Sequence, residues 1–165
     1  MKWFDRKFDF SFTTDQYTAV YERLKQAPDT LRQLILNISE DTLVHKPDDK
    51  WSVKEHTGHL SVLEPIWRIR FGDILESKLV LTPADLSNRA TTEAGFNSYS
   101  ISSLLDKFAG ERNTTLSLLN GIDVLDGSKT SLHPRLQQPM RVIDLVYFVA
   151  EHDDHHISVI REMIG

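Results

Sequence analysis

The last two dozen residues constrain this chain more than any other stretch. Leu145, Val149, His152, His156, Val159 and Met163 step by 4, 3, 4, 3 and 4, so they share one face of a helix with 3.6 residues per turn. Four of the six are apolar, which assigns that face to a core. Two imidazoles on a core face are costly unless something pairs with them. Histidines at i and i+4 can reach one ion together, and a divalent metal is the evident partner. Glu151, Asp153 and Asp154 interleave with them as Glu-His-Asp-Asp-His-His. These carboxylates are either acceptors that fix imidazole tautomers or, for Asp153 and Asp154, an exposed acidic face. His155 lies about 100° around the helix from His156 and is expected to face elsewhere.

Length and composition limit what surrounds that helix. With 165 residues the chain suits one domain, 1–165, with a proper core. It has no cysteine, which removes disulfide scaffolds, thiolate metal sites and cysteine nucleophiles. Any metal must be held by His, Asp, Glu or water. The net charge of -5 lacks the basic excess typical of nucleic-acid binding. Asp5, Arg6, Lys7 and Asp9 interrupt the aromatic start, so no signal-peptide core forms there. The longest apolar run, 142–150, contains Asp144 and falls far short of the roughly 20 residues of a membrane span. A cytoplasmic protein that does not enter membranes is the expectation.

The pattern elsewhere is helical. Trp3, Phe4, Phe8, Phe10 and Phe12 form an arm expected to lay its rings on the domain. Tyr17, Val20, Tyr21 and Leu24 begin a helix capped by Thr13 or Thr14. Pro28 implies two helices or one kinked at Gln26-Ala27, together spanning about 15–38. Residues 39–43 read as a helical turn. Ser52 and Glu55 form a capping box, which starts a helix ending near Ser77 with Val53, His56, Leu60, Leu63, Trp67, Phe71 and Ile74 on its stripe. Residues 78–99 are a long connection with a helical turn at Pro83–Leu86; loops of that length often cover a site. A helix over about 101–119 carries Leu104, Leu105, Phe108, Thr115, Leu116 and Leu119 inward and stops at Asn120-Gly121. Residues 121–139 are a second long connection, and the final helix runs from near Met140 to Gly165. The fold class is all-α, a four-helix bundle with long crossover connections, and nothing reads as a sheet.

Two histidines do not complete a catalytic metal site, which takes three protein ligands and keeps a position open. His59 and His56 are candidates for the third, and periodicity does not decide between them; His45 and His133 lie in loops. The segment Trp51-Ser52-Val53-Lys54-Glu55 followed by Gly58-His59-Leu60, and nearly a hundred residues later Glu-His-Asp-Asp-His-His, resembles the DinB-like superfamily with its YfiT-like and bacillithiol-transferase-like members. The resemblance covers most of the chain. It implies an up-down-down-up bundle and a site built from His59, His152 and His156. It also implies a divalent ion such as zinc or nickel, commonly a homodimer, and a small-molecule substrate such as a low-molecular-weight thiol. The implied function is a metal-dependent enzyme, a thiol S-transferase, isomerase or hydrolase; the alternative is a non-catalytic metal-binding or protein-interaction bundle. A zincin protease is disfavoured because Asp153 stands where its glutamate base would be and only nine residues follow His156. A ferritin-like di-iron centre needs two Glu-x-x-His helices, and the chain offers only Asp153-x-x-His156. Glu55 is explained by its capping role, and Trp51 and Trp67 by packing.

Overall fold

The computed structural model describes residues 3–11, 13–124 and 126–165. Phe12 of the aromatic arm lies outside the described residues. Four long helices make the framework: α1 (Tyr17–Ile35), α3 (Val53–Leu75), α5 (Ile101–Asn120) and α6 (Val142–Ile164), with short helices α2 (Glu40–Val44) and α4 (Arg89–Thr92) in the connections.

Their starts follow the local chemistry. Ser52 accepts from the Glu55 N–H, and the Glu55 carboxylate accepts from the Ser52 N–H, so α3 opens on the expected capping box. Ser39 caps α2 and Ser100 caps α5 through the hydroxyl alone, accepting from the Thr42 and Ser103 N–H. α1 differs from expectation. Its N-cap is Gln16, the last residue of a 3-10 turn at Thr14–Gln16, and it makes no side-chain cap bond.

Pro28 does not split α1. A proline in a helix lacks the N–H that would bond the carbonyl four residues back, here that of Leu24. Arg112 of α5 donates its Nη1 to that carbonyl at 2.6 Å, so the freed acceptor is satisfied from across the bundle.

Helix directions follow from which residues meet. Tyr21 bonds Asn120, and Arg32 pairs with Asp106, so α1 and α5 are antiparallel. Leu24 shares a core cluster with Leu145, Val149, Phe71, Ile74, Leu116 and Leu119. Leu31 and Ile35 share another with Ile157, Ile160, Val53, Leu60, Leu105 and Phe108. Hence α6 runs with α1, while α3 and α5 run together and opposite to both, giving up-down-down-up. α1 and α3 each pack mainly on α5 and α6, so they sit diagonally. Burying each such Leu, Ile or Phe contributes about 1.5–3 kcal/mol.

The parallel pair α3/α5 forces the intervening chain to travel back the length of a helix, about 30 Å for 20 residues. Residues 76–100 make that return. Their helical turn lies at Arg89–Thr92 rather than Pro83–Leu86. The connection between α5 and α6 contains a feature absent from the sequence reading. Strand β1 (Ser131–Leu132) pairs antiparallel with β2 (Pro139–Met140), and Val80 bridges to Leu132. This small sheet ties the two connections together beside the α3/α6 face. Among the described residues no helix is long and apolar enough to cross a membrane.

Candidate metal centre

Antiparallel packing of α3 on α6 brings His59 against the 152/156 pair. One ligating atom from each of His59, His152 and His156 lies within 4.8 Å of the other two, and all three residues are buried. The Nε2 atoms of His152 and His156 are 3.2 Å apart, close to the roughly 3.3 Å edge of a tetrahedron of nitrogens around zinc. His59 Nδ1 lies 2.9 Å from Thr91 Oγ1; with Nδ1–H donating, Nε2 keeps its lone pair. His156 Nδ1 lies 2.8 Å from His56 Nδ1, which likewise occupies its far nitrogen. Both contacts orient a ring through the nitrogen that faces away from the cluster.

The donor set fits a divalent cation. A metal needs neutral imidazoles, and burial pushes all of these rings below their ordinary pKa. His59 is lowered to about 3 by burial and then by His56. Burial followed by the neighbouring histidines holds His152 and His156 well below 6.5. His152 Nδ1 is buried without a hydrogen-bond partner among the described residues, so His152, unlike His59 and His156, has no contact orienting its ring through that nitrogen.

Several sequence expectations change here. His56 reaches His156 through Nδ1 and so supports that ring from behind. Glu55 keeps its expected capping role, held by Ser52 and Lys46. The acidic neighbours do not serve the imidazoles. Glu151 pairs with Arg6 and Arg23, and Asp154 with Arg23. Asp153 is 1% exposed rather than part of an acidic surface, and it accepts from Arg112 at 2.7 Å. Burial follows from helix geometry, since Asp153 lies four residues beyond Val149 and meets α5. His155 faces partly the same way as the pair, half-buried and stacked on Trp3 at 5.5 Å. His45 is exposed and apart.

Sequence reasoning missed Thr91. It sits in the crossover, 1% exposed, and no spacing relates it to His59. Gly58 allows that crossover to approach, because a Cβ there would come within 2.4 Å of the Phe96 ring.

The cluster opens into a cavity of about 480 Å³. Trp3, Trp51, Leu63, Trp67 and Phe148 supply apolar wall, and Arg70, His133 and Arg135 lie in its lining. The Trp51 ring is 4.7 Å from that of His59, and the Trp67 ring 5.7 Å from that of His152. Both tryptophans therefore face the site as well as packing. The aromatic arm closes one side, with Trp3 against His152 at 5.1 Å and Phe148 at 5.3 Å.

A solved structure of YfiT from Bacillus subtilis, described as a probable metal-dependent hydrolase with an unusual four-helix bundle topology, superposes with a TM-score of 0.80. The match covers 96% of this chain and 91% of that one at 20% identity. No curated protein matches the sequence. The model of the DinB superfamily matches residues 23–160, from within the first long helix to within the last. With that match covering most of the chain, parts or all of each bundle helix and all three clustered histidines, the chain belongs to the DinB superfamily.

Proposed function

We propose that this protein is a metal-dependent enzyme whose divalent ion, zinc or nickel, is held by His59, His152 and His156 at the base of the cavity. The observation that carries this reading is the three buried imidazoles converging beside an open cavity, with the far nitrogens of two already engaged. The YfiT structure, described as a probable metal-dependent hydrolase, supports it. A divalent ion held there would acidify a bound water or substrate thiol, supplying a nucleophile near neutral pH. Thr91 and His56 hold His59 and His156 in orientation. Trp51 and Trp67 wall the centre and keep bulk water from it, which strengthens charge interactions inside. Because His56 contacts the Nδ1 of His156, it does not close the coordination sphere, and a position remains for substrate. A small molecule fits the cavity, and thiol transfer or hydrolysis is the chemistry it would undergo. The resemblance to DinB-like proteins supports a homodimer in the cytoplasm, which sedimentation and fractionation would check.

Cobalt substitution tests the reading. Loaded with Co2+, the protein should show visible d–d bands that shift when bacillithiol, mycothiol or glutathione enters the site. Bands that ignore all three thiols would count against thiol chemistry and leave hydrolysis as the reaction to assay. Failure to bind Co2+ at all would remove the metal reading and leave a non-catalytic interaction bundle.

A further inference from the structure

Elsewhere in the cavity lining, Arg70, His133 and Arg135 form a second group of polar side chains in which some N–H groups find no acceptor. His133, 3% exposed, accepts through Nδ1 from the backbone N–H of Arg135 at 3.2 Å and of Leu136 at 3.1 Å. A neutral imidazole has one N–H and one lone pair. With the lone pair committed at Nδ1, the proton is on Nε2. That nitrogen lies 3.4 Å from Arg70 Nη1, which is itself only a donor. The two atoms therefore do not bond each other; they flank a place that lacks an acceptor.

The two guanidinium groups reinforce this. Arg70 is 3% exposed and uses Nε on the Thr82 carbonyl at 2.9 Å. Arg135 uses Nη1 on the Phe4 carbonyl at 2.9 Å, and its Nη2 is buried with no hydrogen-bond partner among the described residues. Among the described residues neither is paired with a carboxylate. Asp73 is the nearest acid acting on Arg70, but its oxygens accept from Lys78 and the Thr82 N–H. Asp85, also in the cavity lining, accepts from Ser87 and the Arg89 N–H. Buried cations without counter-charge are rare because desolvation is expensive. Buried Arg70 and partly buried Arg135, beside an imidazole N–H without an acceptor, form a preorganised acceptor-seeking corner.

We propose that this corner binds an oxyanion group of the substrate, a carboxylate or a phosphate, so that the cavity takes a small anionic molecule. This rests on the cavity being the substrate site of the metal-dependent reaction. The distance between the two ends is set by one indole. The Arg70 guanidinium lies 5.4 Å from the Trp67 ring centroid, and that ring lies 5.7 Å from His152. Phe148 continues the wall, 5.1 Å from His133 and 6.0 Å from Trp67. The substrate thus has an anionic end at Arg70, His133 and Arg135, a short apolar middle along Trp67 and Phe148, and its reacting group at the three histidines.

Calorimetric titration of the whole protein tests this with 3-phenylpropionate, its neutral amide 3-phenylpropanamide, and inorganic phosphate. Each is titrated into metal-free protein and into protein given one equivalent of zinc. The carboxylate should bind about tenfold or more tighter than the amide, the worth of a charge-assisted hydrogen bond. Arg135→Gln should erase that difference, and Arg70→Gln should do the same where it folds. Competition between phosphate and 3-phenylpropionate shows which oxyanion the corner prefers, and either preference supports the proposal. Equal binding of acid and amide, or an acid affinity unchanged in Arg135→Gln, overturns it. Because the discrimination is expected in metal-free protein as well, its loss is distinguishable from failure of the metal reading.

Discussion

His152 and Asp153 are consecutive residues of α6, both buried, yet they enter polar clusters built on opposite rules. Asp153 joins Arg112, Glu64 and Thr115 in a cluster that closes on itself. Arg112 gives its Nε and Nη2 to Glu64 and its Nη1 to Asp153 and the Leu24 carbonyl, and Thr115 donates to the other Glu64 oxygen. Burial opposes the charge on Arg112, but Asp153 and Glu64 more than offset it and hold the guanidinium protonated. His152 joins a cluster that stays open. Its Nε2 faces the Nε2 of His156 at 3.2 Å, and its Nδ1 has no hydrogen-bond partner among the described residues. A polar group that only holds helices together is satisfied from within the protein, whereas one that binds is left wanting a ligand.

The largest expected effect lies in the closed cluster. Arg112→Met strands Glu64 and Asp153 as buried, uncompensated carboxylates and also exposes the carbonyl that Pro28 leaves free. A loss of about 3–5 kcal/mol in urea denaturation is expected, with metal affinity per folded molecule little changed. A loss below about 1 kcal/mol would mean the cluster is not the internal brace described.

In the open cluster, the orienting contacts should govern affinity instead of stability. Thr91→Val keeps shape but removes the acceptor for His59 Nδ1. Zinc affinity should fall about 10–100-fold, read by competition with a chromophoric chelator, while the helical circular dichroism is retained. Unchanged affinity would show that Thr91 does not position His59.

A smaller effect concerns His133. Its pKa is lowered to about 3, first by burial and then by Arg70 and Arg135. Between that value and 6.5 the unfolded chain holds a proton that the folded chain refuses. The stability this contributes is therefore complete above about 6.5 and declines as pH falls towards 3. His133→Asn keeps an acceptor for the Arg135 and Leu136 amides but removes the titration. From pH 7 to pH 5 the wild type should lose about 2 kcal/mol more than this variant in parallel denaturation curves. Identical pH slopes would contradict the neutral, buried imidazole.

The same contrast marks what could be read from the sequence. The four helices were legible because their apolar spacing is strong, and the α3 boundary because Ser52 and Glu55 carry their own signal. His152 and His156 stood out as polar residues on an apolar seam. His59 could not be separated from His56 by period, because both lie near one stripe and the choice depends on how α3 rotates against α6. Asp153 was misplaced because its partner, Arg112, is 41 residues away and is a charged residue on the core face of α5. Thr91, His133 and Arg135 lie in connections without period, so only the folded crossovers bring Thr91 to His59 and the other two to the cavity. The two-residue strands at 131–132 and 139–140 are too short to leave a pattern.

The most direct test of the open cluster is elemental analysis of purified, untagged protein beside a His152→Ala, His156→Ala double variant. The expected result is about one equivalent of zinc or nickel in the wild type, none in the variant, and helical content alike in both. A wild type that is empty and fails to take up added metal, or a variant that retains it, would contradict the claim that these histidines form a metal centre.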